Sequence, residues 1–315
     1  MTQTRPLDMD PSPALSDRRI GVEIEFTGLP EARVAQVIAG MFGGHVQSVG
    51  RYVHRVEGTR LGDMRVELDT AFKAERAGAS DFVTQIAHQL IPAEIVTAPL
   101  PEQALPELDR LAERLRAEGA QGTRAALVNG FGVHFNVEQT DHSLAALLPV
   151  LQAWALLEPW LRAHEPMGIA RRALPFTSPW PDTLRRRLFD LDPATDSVAD
   201  LTAMYLALAP SRNFGLDMLP LLRQIDPGRV EARLGPDAPS ARPTWHFRLP
   251  SCRIDEDGWT VTGEWEKWQL VEALAAMPRL RADAAEEWCT RYHGRILGES
   301  AWVERLTDIL KQSRG

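Results

Sequence analysis

Five segments of this 315-residue chain place carboxylates, imidazoles or a guanidinium opposite an apolar run. Residues two apart on a strand point to the same face, about 7 Å from each other. In RIGVEIEF, Glu23 and Glu25 share one face, opposite Ile20, Val22, Ile24 and Phe26. DMRVELD sets Arg65, Glu67 and Asp69 opposite Met64, Val66 and Leu68. GVHFNVE sets His134, Asn136 and Glu138 opposite Val133, Phe135 and Val137. TWHFRLP sets His246 and Arg248 opposite Trp245, Phe247 and Leu249, and PAEIVTAP adds Glu94 between apolar neighbours.

A single strand of this kind is explained by solvation, because antiparallel sheets commonly turn one polar face to water. Such faces usually mix Thr, Lys, Ser and Gln with opposite charges. These five segments offer Glu, Asp, His, Asn and Arg almost alone. Glutamates at i and i+2 repel each other unless a cation lies between them. Glu, Asp and His together suit a hard divalent ion such as Mg²⁺ or Mn²⁺. Arg248 adds a planar fork of the kind that binds phosphate. The pattern reads as a metal–phosphate site on a sheet.

The elements that must hold these residues follow from periodicity and breakers. Residues 1–17 are polar and proline-rich and read as a tail without the apolar centre of a secretory signal. Residues 18–315 read as one catalytic domain with a helical insertion at about 142–240. A helix is expected from about Pro30 to Met41, then strands over His45 to Val56 and Asp63 to Asp69, joined by a hairpin through Gly58 and Gly62. PAEIVTAPL gives a short strand, and Leu105, Leu108, Leu111 and Leu115 mark an amphipathic helix. A strand or strand pair is expected within Arg124 to Glu138, and a further helix over Asn213 to Leu222. Arg185, Arg186 and Arg187 read as a solvated helix face. The last strand is expected over Pro243 to Ser251, before tryptophan-rich closing helices. The expected class is α+β: a mostly antiparallel sheet forming a concave active-site face, with helices packed on its other side. No strand leads into a GxGxxG or GxxxxGK[ST] loop, which argues against Rossmann and P-loop nucleotide sites.

With 35 basic against 43 acidic residues the formal charge is −8, which argues against binding duplex nucleic acid. The longest uncharged stretch, Leu144 to Leu157, is too short to span a bilayer, so no membrane association is expected. Cys252 and Cys289 cannot form a disulfide framework or a cysteine zinc site, and a cytoplasmic setting is the default.

IGVEIEF, AEIVTAPL, NGFGVHFN, SRNFGLDMLPLL and RPTWHFRLP occur in this order between Arg19 and Ala276. Together they resemble the putative amidoligase family, carboxylate–amine ligases with a glutamine-synthetase-like catalytic fold, alongside glutamate–cysteine ligase. The resemblance implies ATP and Mg²⁺, or Mn²⁺, as cofactors, and a small-molecule or peptide carboxylate and an amine as substrates. It implies metal binding by Glu23, Glu25, Glu94 and His134. It assigns Arg248 to phosphate and Glu67 or Asp69 to the incoming ammonium. Arg171, Arg172 and Asn136 become candidate ATP or phosphate contacts, Asn136 standing where the synthetase has a second histidine. His246 occupies the place, two before Arg248, where the family pattern has glutamate, and it is a candidate metal ligand with one negative charge fewer. Two rival readings use the same residues: a metal-dependent hydrolase without ATP, and a partner protein that keeps the fold without turnover.

Overall fold

The alternation read from the sequence becomes one sheet in the computed structural model, which describes residues 18–68, 92–123, 131–166 and 178–312. Its strands are β1 (Arg19–Phe26), β2 (His45–Gly50), β3 (Val53–Glu57), β4 (Met64–Leu68) and β5 (Ala93–Thr97). They continue with β6 (Leu100–Pro101), β7 (Val133–Glu138), β8 (Leu216–Asp217) and β9 (Thr244–Phe247). The spatial order is β2-β3-β4-β5-β1-β7-β9-β8, with β6 pairing β1, and every ladder is antiparallel. The sheet does not close on itself. The two strands that carry Glu23 and His134 are thus adjacent near its centre, although 111 residues separate those side chains in the chain.

Helices cover the apolar face. They include α1 (Glu31–Phe42), α2 (Leu105–Ala117), α3 (Leu144–His164) and α8 (Val261–Ala275), with α4 to α7 between α3 and α8 at Asp182–Leu188, Val198–Leu208, Leu219–Ile225 and Pro227–Leu234. Phe135 of β7 packs 5.3 Å from Trp265, and Phe247 of β9 lies 5.6 Å from Trp268 and 5.7 Å from Trp154. Large aromatic side chains carry much of the burial energy of a core, so these contacts fix which face of β7 and β9 is inward. The other face is left to Glu23, His134, Asn136 and His246. Helix α3 is apolar nearly all round. It is long and apolar enough by length and composition to cross a membrane, but 67% of that window is buried inside the fold. A helix apolar on all sides and packed this way is a core helix.

Four expectations are corrected. His45 to Val56 forms two strands, because Tyr52 turns the chain with φ of 63° and lets β2 fold back on β3. The segment Asn213 to Leu222 is not one helix: Leu216–Asp217 pairs with β9 as an edge strand, and α6 starts only at Leu219. Pro220 sits in its first turn, where the missing N–H costs nothing, rather than interrupting a helix. The last strand is shorter than expected, since its ladder stops at Phe247 and Arg248 donates its backbone N–H to Gly215 instead. Arg185 is buried, not solvated: its Nε donates to the Ala155 carbonyl at 2.9 Å and its guanidinium lies 4.8 Å over Trp288.

Candidate active site

Antiparallel register sorts the polar face into rows. One row crosses three strands, with Glu67 opposite Glu94 and Glu94 opposite Glu25. The next sets Glu23 of β1 opposite His134 of β7. A third runs Gly21, Asn136, His246 and Asp217 across β1, β7, β9 and β8. Neighbouring strands lie about 4.8 Å apart, so all three rows fall within reach of one bound polyanion and its cations.

Glu23 is the hub. Its Oε1 accepts from Asn136 Nδ2 at 2.8 Å, and its Oε2 accepts from His134 Nδ1 at 3.0 Å. Arg242 Nη1 stands 3.5 Å from Oε1 and 3.3 Å from Asn136 Oδ1. His246 Nε2 faces Oε2 at 3.9 Å, while its Nδ1 is 3.4 Å from Asp217 Oδ2. Asp217 is fully buried, caps the start of α6 by accepting from Leu219 N–H, and also meets Arg212 Nε at 3.2 Å. Glu25 is anchored separately, accepting the Gly132 N–H at 2.9 Å.

Burial pushes the Glu23 carboxyl up, but the imidazoles of His134 and His246 outweigh it and hold it well below the usual carboxylate range. Burial also presses His134 below its ordinary value, helped by the charge of Arg248 and opposed by Glu25 and Glu23. A depressed imidazole is neutral near pH 7 and therefore competent as a ligand.

Each imidazole faces two carboxylates. His134 sets its Nδ1 against Glu23 Oε2 and its Nε2 3.7 Å from Glu25 Oε1. His246 sets its Nδ1 against Asp217 Oδ2 and its Nε2 3.9 Å from Glu23 Oε2, so with a proton on Nδ1 its Nε2 turns a lone pair toward Glu23. That Nε2 is buried and has no hydrogen-bond partner among the described residues. An unmet buried polar atom is costly, and a cation between the facing lone pairs removes the cost. Glu23, His134 and His246 each offer a ligand atom, and the three atoms lie within 4.8 Å of one another. The donor set therefore fits a divalent ion.

Arg248 lies at the rim, where it donates from Nη1 to the Arg212 carbonyl. Glu67 is buried and accepts from Arg65 Nη2 at 2.7 Å. Glu94 sits between Glu67 and Glu25 in the carboxylate row. Asp69, Arg171 and Arg172 fall outside the described residues. Beside Glu23, between the ends of β1 and β7, lies a cavity of about 320 Å³ lined by Gly21, Val96, Asn136, Arg242 and Thr244, among others.

Sequence reasoning gave no role to Asp217 or Arg242. Asp217 carried a faint signal, as the single polar residue between Leu216 and Met218, both fully buried. Arg242 carried none, because it precedes β9 and reaches Glu23 only through the loop.

Across the chain, a family model described as "Putative amidoligase enzyme" matches residues 16–270, which takes in every strand described above. A comparison with curated proteins gave no match. A match over that much of the sequence, joined to the arrangement of its five motifs on one sheet, settles the assignment: the chain belongs to the putative amidoligase family, a family of ligase-type enzymes.

Proposed function

We propose that the protein joins a carboxylate to an amine at the expense of ATP, through an acyl phosphate. The observation that carries this reading is the Glu23–His134–His246 triad, backed by Asp217 and flanked by the Glu25–Glu94–Glu67 row. A carboxylate is a poor electrophile because its oxygen leaves badly. Transfer of the γ-phosphoryl group to that oxygen, with release of ADP, turns it into a phosphate leaving group. The amine then attacks the carbonyl carbon and expels phosphate.

Glu23, His134 and His246 would hold one divalent ion, and Glu25 and Glu94 would contribute oxygens of the kind that hold Mg²⁺. Bound there, such ions supply charge neutralisation of the triphosphate and alignment for in-line transfer. Arg248 meets the charge on the transferring phosphoryl group with two parallel N–H donors. Glu67, paired with Arg65, takes a proton from the incoming ammonium. The antiparallel sheet with its acidic face supports a glutamine-synthetase-like catalytic fold for this chain.

The test is ADP release measured with panels of acids and amines. ADP formation that requires both substrates, and falls strongly in Arg248→Ala with poor rescue by Arg248→Lys, supports the reading. Unchanged ATP affinity and turnover in both variants removes Arg248 from the mechanism. The Glu-His-His donor set also matches that of metal-dependent hydrolases; turnover of an amide substrate without ATP would decide for that alternative.

A further inference from the structure

The triad differs chemically from the carboxylate row beside it. Two of its three donors are imidazole nitrogens, whereas the row offers only oxygen. Mg²⁺ prefers six oxygens and gives up its water reluctantly. Imidazole favours first-row transition ions, and their affinity at a mixed nitrogen–oxygen site rises from Mn²⁺ through Fe²⁺ and Co²⁺. We infer that Glu23, His134 and His246 form a site selective for a first-row transition-metal ion over Mg²⁺, with His246 as the residue that sets the preference. The inference rests on the reading of this sheet face as a metal site.

Four observations support it independently of composition. The His246 Nε2–Glu23 Oε2 separation of 3.9 Å is too long for a hydrogen bond. It suits two donors that share an ion with bonds of about 2.1 Å. His246 is 4% exposed, and no protein group satisfies its Nε2 among the described residues. Asp217 Oδ2, behind Nδ1, fixes the tautomer that aims the Nε2 lone pair inward. A carboxylate behind a histidine is the usual support of a metal-bound imidazole and raises its basicity. The rings of His134 and His246 meet edge to face, with centroids 5.5 Å apart, so both can approach one ion without stacking. Replacing the glutamate of the family pattern by His246 therefore exchanges a hard anionic ligand for a borderline neutral one, in a place already built to orient it.

The experiment uses the full chain and metal ions alone, without nucleotide. Calorimetric titration with Mn²⁺ and Mg²⁺ should show Mn²⁺ binding roughly tenfold or more tightly. Pulsed EPR of the Mn²⁺ complex should show coupling to two imidazole nitrogens. In His246→Glu one nitrogen coupling should vanish and the Mn²⁺-over-Mg²⁺ ratio should fall about tenfold toward parity. Should a buried glutamate prevent folding, His246→Gln gives the same spectroscopic answer, one coupled nitrogen instead of two. Equal affinities for the two ions in the native protein, or nitrogen coupling that is absent or identical in native and variant proteins, overturns the inference. Because no ATP is present, failure of the ligase reading shows instead as missing ADP release and leaves this result standing.

Discussion

Two buried charge clusters lie on opposite sides of the strand end near Gly132, and they are built on opposite rules. Behind the sheet, Lys267, one of only three lysines in the chain, reaches both Glu165 and Glu264. Glu165 also accepts from the Ser251 N–H at 2.9 Å, and Glu264 accepts from Trp259 Nε1 at 3.0 Å and Arg253 Nη2 at 3.2 Å. Every carboxylate oxygen there has a donor, and two cations balance two anions. Burial presses Lys267 down, yet Glu264 and Glu165 outweigh it and hold its ammonium above its ordinary value. On the polar face, Glu23 is held by the Asn136 amide and the His134 imidazole, with the half-exposed Arg242 only at its rim. His246 Nε2 is left unmatched. The cluster behind the sheet gives each of its carboxylate oxygens a donor, whereas the site leaves an imidazole nitrogen open for what it binds. The first also supports the second. Ser251, tied to Glu165, bridges to Gly132, and the Gly132 N–H anchors Glu25.

The sharpest way to break this contrast is to remove the central charge of each cluster. Lys267→Ala leaves two buried carboxylates with Arg253 as their one cation and should lower unfolding free energy by about 3–5 kcal/mol in urea titrations. Glu23→Gln removes a charge whose guanidinium partner, Arg242, is half-exposed at the rim. Its apo stability should fall by only about 1–2 kcal/mol, while Mn²⁺ affinity collapses. Comparable stability losses in the two variants would make both clusters structural.

A smaller effect tests the support behind the site. Asp217→Asn keeps a side-chain oxygen for the Leu219 N–H but can turn an NH₂ donor toward His246 Nδ1, favouring the wrong tautomer. Mn²⁺ affinity should fall about 10–100-fold, with the thermal midpoint little changed. Unaltered Mn²⁺ binding would reduce Asp217 to a helix cap.

The smallest effect concerns a third kind of buried carboxylate. Glu158 in α3 is fully buried and accepts the Trp180 N–H at 3.0 Å. Burial pushes its pKa up to about 7, against the attraction of Arg185. A carboxyl raised in the folded state contributes stability below its unfolded pKa of about 4.5 and loses it as pH rises through about 7. Glu158→Gln should therefore match the native protein near pH 4.5 and be more stable at pH 8. The gain should be about 1 kcal/mol, below the full shift, because the glutamine NH₂ takes the place of one of the two oxygens that face the Trp180 N–H. A pH-independent difference between the two proteins would show that Glu158 does not titrate in this range.

Period-two alternation determined which face each side chain takes, because a strand's pleat is local and Ile20, Val22, Ile24 and Phe26 leave Glu23 and Glu25 only the other side. The same local rule placed His134, Asn136 and His246 opposite their buried neighbours, and the turn glycines set the β3–β4 hairpin. It could not reach β8, whose two residues are too few to show a period, nor the Tyr52 turn, where no glycine marks the positive φ. Partners across strands are a matter of register, which non-local pairing fixes. The order β5-β1-β7-β9-β8 alone put His134 beside Glu23 and Asp217 beside His246, 29 residues away. Only the tertiary structure decided that Arg185 is buried, because the carbonyl of Ala155 and the ring of Trp288 that receive it come from other helical segments. The sequence by itself supplied the donors and their faces, and the pairing of strands decided which donors meet, since hydrogen-bond register depends on segments that the local pattern cannot see.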